Sequence, residues 1–359
     1  MAQRVSLFHF YVIISQMKDI KELAPEELKE VLSAWQEKPF HTGQIFSWIY
    51  KRGVADFQLM SDLSAPLRKK LKENFSVRGL KPVEKLESSD GTEKFLFALK
   101  DGNLIEAVVI PAEGRVTACL STQAGCKYRC SFCASGLGGF KRNLSCGEIL
   151  EELLYLENSY KKKKITHVVF MGTGEPLDNY DNLLRAVRMI NSKEAFDIGA
   201  RRITVSTCGI IPGIKKLAQE NLQIELSISL HAADEKLRSR LLPVNKIYPL
   251  KELIPAARDY TQKTNRQITF EYVLIKGVNS DLQNAQKLVK LLQGLRLAKV
   301  NLIPSNFIKE CGVEPPGKLE ILFFKDYIIK HGLHATLRKS RGEDIEAACG
   351  QLRFRYEKK

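Results

Sequence analysis

Cys126-Lys127-Tyr128-Arg129-Cys130-Ser131-Phe132-Cys133 sets three thiols within eight residues, at a CxxxCxxC spacing. An apolar, β-rich stretch at residues 116–121 precedes it, so the loop opens at a strand end and is compact enough for three sulfurs to face one point. A structural zinc site takes four ligands, and no CxxC partner pair exists in the chain, so zinc needs a distant Cys or His to complete it. Three cysteines suit a [4Fe–4S] cluster, with one iron left open for a substrate.

Downstream, β-like stretches at residues 166–170, 202–206, 223–230, 268–275 and 299–303 alternate with helical patterns at 146–160, 179–190, 250–264, 282–292 and 319–331. Six strands with intervening helices predict an α/β fold: a parallel sheet curved into a partial (β/α)6 barrel whose chemistry lies at the strand C-terminal ends. Upstream, residues 93–99 and 104–110 flank an Asp101-Gly102 hairpin turn. Residues 17–75 read as a small helical domain, punctuated by Lys51, Arg52, Arg68, Lys69, Lys70 and Lys72, which suit either a phosphate grip or a solvated face. The expected boundaries are an extension at 1–16, a helical accessory domain at 17–80, a β hairpin linker at 81–110, the barrel at 111–340 and a C-terminal segment at 341–359. The first sixteen residues imitate a signal peptide but lack a small-residue cleavage pattern, and Met17 is read as the real start.

Lys and Arg number 56 against 41 Asp and Glu, a net charge of +15, which points to a polyanionic partner, nucleic acid first. Eight cysteines in 359 residues are too few for a disulfide scaffold and suit metal ligation in a reducing compartment, hence a cytoplasmic protein. No apolar run reaches the ~20 residues of a membrane-spanning helix.

The cysteine segment, with Phe132 ahead of the third thiol, resembles the radical S-adenosylmethionine (SAM) superfamily. The resemblance implies a [4Fe–4S] cluster held by Cys126, Cys130 and Cys133, with SAM chelated at the open iron and cleaved reductively to a 5′-deoxyadenosyl radical. Met171-Gly172-Thr173-Gly174-Glu175-Pro176, at the end of the second strand, resembles the superfamily's GEP motif and implies that Gly174 and Glu175 bind the SAM amino group. Ser206, Ser229-Leu230-His231 and Asn306 end the third and fourth strands and follow the sixth, where they would contact SAM. A lone histidine after a strand is otherwise a helix cap or a core residue.

A narrower resemblance, to the RlmN family with Cfr as its sister, runs from about Met17 to Tyr356. It is carried by residues 43–53 (GQIFSWIYKRG), 119–144 and 344–352 (DIEAACGQL). It implies methylation of adenosine C2 in 23S rRNA at the peptidyl-transferase centre and, in some members, in tRNA beside the anticodon. C2 lies between two ring nitrogens and is electron-poor, so it will not attack an electrophilic methyl group, and radical addition is the alternative. By resemblance Cys349 carries the methyl group, Glu106 is the general base and Cys119 resolves the RNA–Cys349 adduct through a transient disulfide. Two SAM molecules serve each turnover, a donor such as flavodoxin or ferredoxin supplies electrons, and the enzyme acts as a monomer. Cys146, Cys208 and Cys311 match no family role and are expected to be structural. Residues 305–311 lack the family's proline-rich sequence. The rival readings are Cfr-like C8 methylation, another radical SAM reaction such as sulfur insertion, and a non-enzymatic RNA-binding protein with a structural zinc; Gly174-Glu175-Pro176 favours the RlmN version.

Overall fold

Leu28 and Leu32, one helical turn apart, are fully buried in α1 (Pro25–Ala34), which opens with proline at its first position. The computed structural model describes residues 17–77, 79–305, 312–338, 341–345, 352–353 and 356. The chain divides into two compact units. The first takes in residues up to Leu80 together with 145–161 and 181–198, and the second holds 81–144, 162–180 and 199 onward.

The first unit is helical. α1 is followed by α2 (His41–Phe46), which runs into a π-helical turn at Ser47–Lys51, and by α3 (Ala65–Asn74), capped by Ser64 Oγ accepting from the Leu67 N–H at 3.3 Å. α4 (Cys146–Ser159) opens with a capping box in which Ser145 and Glu148 satisfy each other's backbone N–H groups, and α5 (Tyr180–Asn191) completes the unit's helices. Ile45, Phe46, Ile49, Leu67 and Leu71 form a core, as do Ile149, Leu150 and Leu153 of α4. Lys21 is also fully buried, paired with Asp19 and with Glu151 at 2.8 Å.

The second unit holds a ten-stranded sheet among the described residues. In chain order the strands are β1 (Lys81–Glu87), β2 (Glu93–Ala98), β3 (Leu104–Ala112), β4 (Arg115–Cys119), β5 (His167–Phe170), β6 (Ile203–Thr207), β7 (Glu225–Ser229), β8 (Ile268–Leu274), β9 (Ala298–Pro304) and β10 (His334–Leu337). Each strand lies beside its predecessor, so spatial order and sequence order coincide. β4 is the pivot. It pairs antiparallel with β3, Cys119 opposite Val108, and parallel with β5, Cys119 opposite Val169. From β4 to β10 the sheet is parallel, with helices α6 (Ile211–Leu217), α7 (Glu235–Leu241), α8 (Leu250–Thr264), α9 (Leu282–Leu292) and α10 (Lys318–Lys330) in the later connections.

The curved parallel sheet expected from the sequence is therefore present, with seven parallel strands rather than six. β10 is four residues long at the sheet edge, half-buried and exposed by turns, and so leaves no apolar run to read. α6 and α7, at seven residues each, are too short for a helical period to register.

Two local features set up the strand ends. A short antiparallel hairpin, Gln123–Gly125 with Phe140–Asn143, brackets the cysteine loop. Gly125 sits there at φ +83°, and a Cβ on it would overlap the Gly139 carbonyl oxygen, so only glycine closes the loop. Arg238 of α7 is completely buried and donates to the Cys208, Ser229 and Leu230 carbonyls at 2.7, 3.1 and 3.2 Å and to Asn245 Oδ1 at 2.7 Å. Replacement by methionine fills similar volume but takes the Arg238 donors from the Cys208 and Ser229 carbonyls and from Asn245 Oδ1, while Leu230 keeps the Ala232 N–H. The R238M protein should lose about 3 kcal/mol or more of stability, read as a lowered urea midpoint.

Candidate active site

A cavity of about 330 Å³ opens where the parallel strands end. Its lining runs from Val108 and Ile110 of β3 to Ile303 and Pro304 of β9 and Arg338 just past β10, so the sheet curls far enough for both sides of the strand order to face one space. Cys119, Cys126, Cys130 and Cys133 line it, as do Gly174, Glu175, Ser206, Ser229 and His231. Two other expected residues do not. Leu230 is fully buried away from the lining, and Glu106 is covered, as described below. Asn306, Cys311 and Cys349 lie outside the described residues.

The cysteine loop is fastened at several points. The Cys126 N–H donates to the Gly139 carbonyl at 3.2 Å, the Ser131 N–H to Leu241 at 3.0 Å, and the Cys133 N–H back to Cys130 at 3.1 Å. Tyr128 Oη and Lys127 Nζ both reach Asp178, at 3.1 and 2.9 Å. Burial pushes the Cys126 thiol up to about 12 and the Cys130 thiol well above its ordinary value, and Cys133 raises both further. Among the described residues no three His, Cys, Asp or Glu side chains stand at ligand spacing, so the thiols share a cavity without forming a closed cage. Thiols protonated by burial become thiolates only against a strong local positive charge, which a cluster's iron provides. The donor set of three cysteines on one loop fits attachment of a cluster with one iron left open, and Cys126, Cys130 and Cys133 would hold it.

Glu175 is placed at the cavity but its carboxylate faces inward. Oε1 accepts from the Leu177 N–H at 3.0 Å and Oε2 from the Cys208 N–H at 2.7 Å, while burial raises its pKa against those bonds. Its backbone N–H is held by Gln123 Oε1 at 2.8 Å. Gly174, at φ +108°, would press a Cβ to within 2.5 Å of the Gln123 Cβ. His231 Nδ1 accepts the Val273 N–H at 3.0 Å, which fixes the neutral tautomer with the proton on Nε2, and the ring meets Phe132 edge-on at 4.7 Å.

Sequence reasoning missed Glu271, and Cys208, expected to be structural, lines the cavity. Glu271 of β8 is buried, which raises its pKa, and is held by Asn301 Nδ2 at 2.7 Å and Ser227 Oγ at 3.3 Å. A carboxylate inside an apolar strand run was the signal available.

Glu106 of β3 is 3% exposed. Its Oε2 pairs with Lys94 Nζ of β2 at 3.1 Å, and its Oε1 accepts the Arg353 N–H at 2.5 Å. Lys94 is fully buried. The Arg353 guanidinium also donates to the carbonyl of Ser135, two residues past Cys133, at 3.2 Å. Arg353 is thus docked over Glu106 and onto the cysteine loop. A second clip lies upstream: Asp344 accepts from Ser88 Oγ and from the Ser89 N–H, and Asp90 accepts from the Gly342 N–H at 3.2 Å.

Comparison with known proteins agrees with this geometry. The family model "Radical SAM superfamily" matches residues 120–289, and "Ribosomal RNA large subunit methyltransferase N-terminal domain" matches 18–77. The chain is 47% identical over 341 residues to the probable dual-specificity RNA methyltransferase RlmN of Clostridium novyi, covering 95% of this chain and 99% of that one. It is 45% identical over 344 residues to the Geobacillus kaustophilus protein of the same name, at 95% and 94% coverage. A crystal structure of a radical SAM methyltransferase from Sphaerobacter thermophilus superposes with a TM-score of 0.89 at 42% identity, covering 93% of this chain and 98% of that one.

His231 yields a pH prediction. Burial, reinforced by the nearby Arg238 charge, pushes it down to about 3, against about 6.5 in an unfolded chain. The unfolded state therefore binds the extra proton first as pH falls, and stability drains away from about pH 6.5 downward. The protein should be about 2 kcal/mol less stable at pH 5 than at pH 7.5 from this residue alone. His231→Gln should remove that share of the difference between urea titrations at the two pH values.

Proposed function

Because this chain belongs to the RlmN family of radical SAM enzymes, we propose that it is an RNA methyltransferase acting at C2 of adenosine in 23S rRNA, with tRNA as a second substrate. The observation that carries the reading is the meeting of Cys119, from β4, with the three loop cysteines on the wall of one cavity. A resolving thiol has to stand there, beside the place where the radical is made.

The cluster, when bound, would supply the radical from one SAM, and a second SAM would donate the methyl group. The remaining roles fall to the chain. Ser206, Ser229 and the GEP backbone would seat SAM along the strand ends, with Asn306 as a further contact. Cys349 would carry the methyl group and bond to RNA through it, and Glu106, once the Arg353 N–H leaves its Oε1, would accept the proton lost from C2. Cys119, as thiolate, would then attack the Cys349 sulfur. That step forms the S–S bond and breaks the bond between the Cys349 sulfur and the transferred methylene carbon, which keeps the electron pair and takes up a proton to complete the methyl group.

The docking of Arg353 supports this assignment of the C-terminal segment. It ties a point four residues past Cys349 to Glu106 and to the loop that bears the cluster cysteines. The target base must leave its stack to enter a cavity of this size, as in other enzymes that modify a base. The positive chain, at +15, fits an RNA substrate.

Cys119→Ala tests the scheme. Purified from cells, that protein should carry RNA covalently attached at Cys349, because the release step is blocked, and the Cys119→Ala/Cys349→Ala protein should carry none. RNA-free C119A protein that still cleaves SAM after anaerobic reconstitution would overturn the assigned roles. Mass mapping of rRNA and tRNA from incubations with reconstituted wild-type enzyme separates C2 from C8 methylation.

A further inference from the structure

Arg338 and Arg341 flank the end of β10 and both line the cavity. Arg338 is exposed, and its backbone N–H donates to the Leu302 carbonyl at 2.8 Å, which sets the direction in which the chain leaves the strand. Its guanidinium makes no hydrogen bond or ion pair with any described residue and acts on Glu271 only as a nearby charge. Arg341 has one described partner, Asp90, at 3.7 Å, with both side chains partly exposed. Such a pair contributes well under about 1 kcal/mol and yields readily to a better anion.

The carboxylates nearest the two arginines already have other donors. Glu271 is held by Asn301 and Ser227, and Asp90 accepts the N–H groups of Thr92 and Gly342. Two guanidinium forks therefore face an opening whose nearby carboxylates are turned to other donors and whose wall is largely apolar. A guanidinium matches the oxygens of a phosphate in two parallel bonds and is easier to desolvate than an ammonium.

We infer that Arg338 and Arg341 form a phosphodiester site at the cavity mouth, which grips the RNA backbone beside the nucleotide whose base enters. The inference rests on the RNA reading above. A base can be buried in an apolar cavity, but its own phosphates keep their charge and stay at the rim, where these two side chains stand. The site reads no sequence. It holds the backbone while the cavity accepts the base.

The test is fluorescence anisotropy with the reconstituted full-length protein and a labelled RNA hairpin containing the target adenosine, at a series of salt concentrations. Arg338→Ala and Arg341→Ala should each weaken binding by about threefold to tenfold at 0.1 M salt and lower the slope of log affinity against log salt by about 1. Arg338→Lys should restore most of the slope and little of the affinity. Arg296→Ala is the control, since Arg296 lines a separate cavity with Gln267 and His334. It should change neither quantity. Unchanged slopes in both alanine variants overturn the proposal. So does a loss of SAM affinity with RNA slopes intact, which would give the guanidinium to the SAM carboxylate. If the wild-type protein binds no RNA at any salt, the RNA reading itself falls and takes this site with it.

Discussion

Parallel strands that end together around one cavity leave their last carbonyl groups aimed at it, and the fold cannot close until those groups have donors. Arg238 meets this demand for the ends of β6 and β7 at once. Its planar fork reaches the carbonyls of Cys208, Ser229 and Leu230 and an oxygen of Asn245, a set that a lysine's single ammonium could not span. Because the side chain is wholly buried, its charge acts through a medium of low polarity. It adds to the burial that keeps His231 neutral, and it offsets part of the rise in the Cys130 thiol. The positions of Ser229, His231 and Cys208 on the cavity wall depend on this one residue.

Carboxylates around the cavity follow a related rule. Glu175, Glu271 and Glu106 are all buried, and each has both oxygens engaged by backbone amides or side chains. Buried ionic groups of this kind add little net stability compared with apolar packing, but they fix register, since a shifted strand would strand a charge. Lys94 shows the point. It stands at the head of the buried run Phe95, Leu96 and Phe97 on β2, and its partner on β3 also anchors Arg353. The pairing of two neighbouring strands and the docking of a segment more than two hundred residues later share one carboxylate.

What the sequence made legible was local. Three cysteines in eight residues, glycines before Glu175 and apolar strand runs are patterns within a short window, and they located the cysteine loop, the parallel sheet and several residues of the cavity wall. What stayed hidden depends on partners far apart in the chain. Nothing in the neighbourhood of Lys94 names Glu106, and nothing near Cys208 says that its amide caps Glu175. The inward turn of the Glu175 carboxylate and the burial of Leu230 are likewise set by tertiary packing rather than by strand position. β10 escaped because an edge strand with one wet face needs no apolar run.

Sheet order and chain order are the same here, and that has a consequence for biosynthesis. A nascent chain emerging residue by residue can add each strand to the edge left by the one before, each step closing a connection far shorter than the whole chain. The last contacts to form are of another kind. Asp344 returns to Ser88 and Ser89 across 255 residues or more, and Arg353 returns to Glu106 across 247. Each of these clips closes a loop several times longer than any connection between neighbouring strands. A sheet assembled strand by strand can therefore stand before these two long-range contacts form, and Glu106 and the turn at Ser88 receive their distant partners last.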